Sequence, residues 1–203
     1  MSQSTREDDG VWAGHGVRAR VAELAADDPS FGRFGAARHR YRLGEPLAEA
    51  EVVAFEERQG VRLPESYRSF LTEVGDGGAG PYYGLFRLDG SDMESRDREE
   101  RATSGFLTAP FPHTERWNPT DLSEDDYFHD RYVQGSLLIA EFGCGAFHRL
   151  VVTGPERGRV WFDDRGCDNG MSSQGAFEEW YLAWLDAYVE QPVRQPLGGR
   201  GQA

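Results

Sequence analysis

The chain has no lysine at all: its 22 basic residues are all arginine, and 35 aspartates and glutamates outnumber them to leave a formal net charge of −13. Nucleic acid and anionic membrane are recognised by positive patches, so this balance argues against either as partner and favours a basic protein. Cysteine is scarce too. Cys144 and Cys167 are too few for a disulfide framework, and reduced, buried or half-buried thiols are expected in a cytoplasmic protein. No apolar run approaches the ~20 residues needed to span a bilayer. Residues 1–10 are polar and acidic where a leader would be basic and then apolar, so a cytoplasmic location is expected.

At 203 residues the chain suits one domain with a single core. Residues 1–44 read as an N-terminal extension with a short helix, in which Val17, Val21, Leu24 and Ala25 recur at helical spacing until Asp27-Asp28-Pro29. A second helix is expected from about Pro46, with Val52, Val53 and Phe55 inward and Gly60 at its end. A third starts at Pro64 and carries Tyr67, Phe70, Leu71 and Val74 on one face, with Gly75 placed for a left-handed cap.

Residues 76–81 are glycine-rich and lead into 82–88, which reads as a strand. A dinucleotide-binding loop needs its strand before the glycines and its helix after, the reverse of what stands here, and no P-loop lysine follows. A structural turn is the better reading. Residues 91–135 form a long polar stretch with eleven carboxylates against five arginines. Long connections of this kind are solvated insertions or recognition surfaces. In the second case Trp117, Tyr127 and Phe128 would anchor a partner while Glu124, Asp125 and Asp126 attract it.

Three apolar runs, 137–140, 147–152 and 160–162, have strand-like length and content, and 154–158 suits a hairpin between the last two. Phe177, Trp180, Tyr181, Trp184, Leu185, Tyr188 and Val189 then repeat at i, i+3 and i+4, the pattern of an amphipathic helix. Residues 191–203 read as a disordered tail. The expected fold is α+β: one central, mostly antiparallel sheet flanked by N-terminal helices and a C-terminal amphipathic helix.

The stretch Leu63-Pro64-x-x-Tyr67-x-x-Phe70-Leu71, followed by Gly75-x-Gly77-Gly78-Ala79-Gly80-Pro81-Tyr82-Tyr83-Gly84, resembles the SUKH superfamily. Gly143-Cys144-Gly145, Trp161-x-Asp163 and the tryptophan-rich closing helix are similar to its C-terminal half. The resemblance covers about 45–190. It implies an α+β fold, no catalytic residues, no cofactor and a protein partner, as in bacterial immunity proteins that neutralise toxins or in fungal regulators of cell-wall assembly. An intracellular scaffold is the alternative. A cysteine hydrolase built from Cys144, His148 and Asp163 or Asp164 is more distant, since Cys144 and His148 share a strand face only if Gly143 and Gly145 leave that strand regular. Cys144, His148 and Cys167 are three potential metal ligands where structural zinc takes four. Elemental analysis of the purified protein is accordingly expected to find no stoichiometric metal; one zinc per chain would overturn that reading.

Overall fold

A computed structural model describes residues 11–190; residues 1–10 and the tail expected to be disordered lie outside the described residues. Among the described residues, seven α-helices accompany a four-stranded antiparallel sheet, the α+β class expected. The strands β1 (Ser136–Gly143), β2 (Ala146–Val151), β3 (Arg159–Asp164) and β4 (Gly170–Ala176) lie side by side in chain order. The first three fall on the apolar runs read from the sequence. β4 was not foreseen, because Gly-Met-Ser-Ser-Gln-Gly-Ala has little β-forming content. It becomes a strand through pairing with β3, where Trp161 opposes Ser173 and Asp163 opposes Met171.

Register assigns the two faces of the sheet. Leu150 is level with Leu137 and Val160, and His148 with Ala140 and Phe162, on one side; Arg149 is level with Leu138 and Trp161, and Phe147 with Glu141 and Asp163, on the other. The first face packs under α7 (Phe177–Glu190), the amphipathic C-terminal helix. His148 is buried there between Tyr82, 5.0 Å away and nearly parallel, and Trp180 at 5.1 Å.

The N-terminal helices join the same core. In α1 (Val17–Asp27), Val17, Val21 and Leu24 are buried. Trp12, just before it, stands edge-on to Phe70, Phe177 and Tyr181 and donates its indole N–H to the Ser66 carbonyl at 2.8 Å. The short α2 (Ala36–His39) follows. Helix α3 (Glu49–Gln59) starts three residues after Pro46 and buries Val52 and Phe55 before Gly60 closes it in the left-handed conformation.

Helix α4 (Glu65–Ser69) passes without interruption into a π-helical turn, Phe70–Val74, in which Gly75 N–H bonds to Phe70 O at 2.9 Å. That widening changes the role of Gly75. It is not a left-handed cap; its φ of 160° and ψ of 160° are extended. What requires glycine is the close approach of another segment, since a Cβ there would lie 2.5 Å from the Gly44 carbonyl oxygen. Residues 82–88 also depart from expectation. Tyr82 (φ 57°) and Gly84 (φ 94°) break the extended run, leaving isolated bridges in which Leu85 meets Gly78 and Ala140 rather than a full strand.

The second face of the sheet is covered by the polar stretch 91–135. Helix α5 (Ser95–Ala102) is followed by buried Phe106, Leu107 and Phe111, then by α6 (Glu124–Tyr127) and buried Val133. Phe111 stands edge-on to Trp161 at 5.2 Å, with His113 at 6.0 Å from the same ring. A solvated loop is therefore the wrong description: this segment is a layer of the fold whose polar side faces out. Gly75→Ala should cost about 1–3 kcal/mol by forcing the Gly44 backbone away, seen as a lower urea midpoint with an unchanged slope; a midpoint equal to the parent's would refute the close-approach account.

Candidate functional site

The second sheet face carries charge although it is covered, where a buried sheet face is normally apolar. Arg149 projects from the middle of β2 and is 4 % exposed. Its guanidinium makes a bidentate pair with Glu100 of α5, two bonds of 2.8 Å, and donates through Nε to Asp163 of β3 at 2.8 Å. Asp163 also accepts two bonds from Arg165, at 2.7 and 2.9 Å. Arg165 in turn donates to the Tyr127 carbonyl at 3.1 Å, and its guanidinium lies 5.6 Å from the centre of the Phe128 ring. One chain of ion pairs and hydrogen bonds thus joins α5, two strands and the end of α6.

Burial alone would raise the Asp163 carboxyl, but Arg165 and Arg149 more than offset it and hold the group below the usual carboxylate range. Desolvation works against the Arg149 charge as well, and Glu100 and Asp163 reverse that effect. Both sites stay ionised at neutral pH. The bonds account for every face of the Arg149 fork, which is what makes a buried arginine tolerable.

Above this floor opens a groove of about 630 Å³. Phe86 and Phe147 line its apolar part, while Glu94, Glu99, Glu124 and Asp130 stand around it. None of these four carboxylates forms a salt bridge among the described residues, whereas Glu141, also at the rim, lies 3.8 Å from Arg38. The groove is thus an acidic concavity with a hydrophobic strip.

The residues singled out from the sequence divide here. Glu124 and Phe128 line the groove, and Phe128 is 42 % exposed. Asp125 is exposed on α6 and Asp126 pairs with Arg131 at 2.8 Å. Tyr127 is buried, donating its hydroxyl to Asn118 at 2.7 Å and stacking on half-buried Trp117 with ring centres 5.2 Å apart. Trp117 exchanges backbone hydrogen bonds with Met171, so it extends the sheet beside β4. Of the motif residues, Leu63, Tyr67, Phe70, Leu71 and Trp161 are buried in the core, Pro64 directly precedes α4, and Pro81 is buried. Gly77 and Gly78 take positive φ beside Arg87 and Arg42, and Gly80 packs under Leu85.

Residues 46–182 match the model of the SMI1 / KNR4 family (SUKH-1). The chain belongs to that family. Comparison with curated proteins and with solved structures returns no match. SUKH membership brings protein–protein interaction as the family-level function and is generally non-catalytic.

Within this SUKH domain the hydrolase candidates are not assembled. Cys144 sits in the turn between β1 and β2, with positive φ at Gly143, Cys144 and Gly145, so no regular strand links it to His148. His148 faces α7 while Asp163 faces the groove. Desolvation lowers the His148 pKa to about 3, and its Nδ1 has no hydrogen-bond partner among the described residues. Both cysteines are exposed, against the expectation of buried or half-buried thiols, because each falls in a turn rather than a strand. Among the described residues no group of three metal-ligating side chains comes together, and no helix is long and apolar enough to cross a membrane.

What the sequence did not reveal is the Glu100–Arg149–Asp163–Arg165 network. Arg149 inside an otherwise apolar strand was the available signal. Arg149→Met should cost about 3–5 kcal/mol by leaving Glu100 without its partner and half of Asp163 unpaired, measured by urea unfolding at neutral pH. Because the folded pKa of Asp163 is depressed, its stabilisation is present above the unfolded value of about 3.9 and is lost as pH falls through the folded one. Asp163→Asn should therefore lower stability at pH 7 and flatten its decline towards acid; an equally steep acid limb in both proteins would rule the linkage out.

Proposed function

We propose that this SUKH-1 protein works in the cytoplasm as an immunity-type protein, neutralising a basic toxin by binding it at the acidic groove. The supporting observation is the cluster of carboxylates, Glu94, Glu99, Glu124 and Asp130, which form no salt bridge among the described residues, around an apolar strip. Four negative charges held above a floor of internally paired charges create a local field that attracts arginine- or lysine-rich surfaces. Toxins that act on nucleic acid carry such surfaces, because their substrate is a polyanion. An inhibitor of matching shape and opposite charge would cover the surface the toxin needs.

The side chains around α6 take different parts. Glu124 and Asp125 steer the encounter, with Asp126 adding to the field while it holds Arg131. Phe128 is the contact anchor, since it is the exposed large aromatic at the groove. Trp117 and Tyr127 support it from behind: their stacked rings fix the position of α6, and the Tyr127 carbonyl is tied to Arg165. A regulator or scaffold could use the same face, and a toxin gene beside the coding sequence separates the two readings.

Steering and anchoring fail differently in kinetics. With the neighbouring toxin gene's product as probe, neutralising Glu124, Asp125 and Asp126 to their amides should slow association about tenfold at low salt and flatten its dependence on ionic strength. Phe128→Ala should leave association nearly unchanged and accelerate dissociation by about tenfold or more, the ~1.4 kcal/mol or greater loss of an interface anchor. An association rate and salt slope that ignore the triple substitution would move the binding face elsewhere on the domain.

A further inference from the structure

The two cysteines stand 23 positions apart in a chain of 203 residues that has no others, yet the fold sets them side by side. Cys144 lies in the two-residue turn closed by the Gly143–Ala146 pair of β1 and β2. Cys167 ends the 3-10 turn Arg165–Cys167 that follows β3. The Cys167 thiol donates to the Cys144 carbonyl oxygen at 3.5 Å. The two turns also meet at glycine: a Cβ on Gly166 would lie 2.7 Å from the Gly145 oxygen, so the backbones beside the two cysteines are in close approach.

Neither local folding nor core packing accounts for these residues. Cysteine is among the most frequently buried side chains, but both of these are exposed. The hairpin turn has φ of 54° at Cys144 and 77° at Gly145. Positive φ at both central positions favours asparagine, aspartate or glycine at the first of them, and a cysteine there meets a steric penalty. What the pair shares is proximity and exposure to solvent.

We infer that Cys144 and Cys167 form a reversible dithiol–disulfide pair, closed by exchange with a low-molecular-weight disulfide. One protein thiolate attacks the small disulfide, forming a mixed disulfide and releasing one small thiolate. The second protein thiolate then attacks the protein-bound sulfur and releases the other. Two protein thiols are oxidised, the small disulfide is reduced to two thiols, and the two protons lost by the protein are taken up by the leaving thiolates. Desolvation and then the neighbouring Asp164 carboxylate raise the Cys167 thiol above its ordinary value. Closure therefore accelerates as pH rises.

The bond would tie the β1–β2 turn to the end of β3. Gly145 and Gly166 also line one end of the acidic groove, so closure fixes that end of the groove; this consequence, unlike the pairing itself, rests on the groove being the binding face.

The test uses the full chain and 2-hydroxyethyl disulfide, an uncharged probe that the acidic surface does not repel. After reaction, trypsin digestion without reduction should yield a linked pair of peptides, 132–149 joined to 166–194, from monomeric protein. Closure should run at least about tenfold faster in the folded chain than in urea, because folding raises the effective concentration of one thiol at the other. Cys144→Ser and Cys167→Ser should each stop at a single mixed disulfide. Separate mixed disulfides on both thiols of the parent, dimers linked between chains, or equal rates folded and unfolded would each overturn the pairing. No partner is present in this assay, so its failure and the failure of the groove reading are told apart.

Discussion

The position of Arg149 governs much of the rest of the structure. A guanidinium in the middle of a sheet face cannot be left without partners, since an uncompensated buried charge costs several kcal/mol. Its partners come from two sources: Asp163 from the adjacent strand, supplied by register alone, and Glu100 from α5, supplied only if the polar segment folds over the sheet. Asp163 then recruits Arg165, which holds the end of α6 through the Tyr127 carbonyl. Buried ion pairs in general add little net stability over an apolar face of the same shape; here they tie Glu100 of α5 and the Tyr127 carbonyl of α6 to the sheet.

That placement separates the two sides of the domain. The face under α7 is aromatic and buried, with His148 kept neutral between Tyr82 and Trp180. The opposite face holds the buried charges beneath the 91–135 layer, and the groove opens above them. Carboxylates that a linear reading finds scattered from Glu94 to Asp130 converge on one concavity, because α5 and α6 both end at the same row of buried charges. Convergence turns a net charge into a local field, and a local field is what can distinguish one basic surface from another.

Legibility in the sequence followed the strength of the periodic signal. The aromatic repeat from Phe177 to Tyr188, the Tyr67–Val74 stripe and the three apolar strands were readable because their side chains are chosen by the face they bury. β4 was not, since its serines and glycines acquire strand geometry only from β3. Residues 82–88 looked like a strand by composition, but positive φ at Tyr82 cannot be read from a tyrosine. Phe106, Leu107 and Phe111 were visible as apolar residues, yet a high background of charge masked them as a core segment.

For the site the division is sharper. The sequence by itself determined the α+β class, the SUKH-type motif, the acidic character and the candidacy of the Trp117–Phe128 region, all properties carried by residue identity and short-range spacing. Tertiary structure alone decided that Tyr127 and Trp117 pack against each other while Phe128 stays exposed, that Glu124 and Asp130 share a groove with Glu94 and Glu99, and that Cys144 meets Cys167 rather than His148. These are outcomes of register and layer packing between segments far apart in the chain, where the energy of any one contact depends on all the others being in place, and no local pattern encodes them.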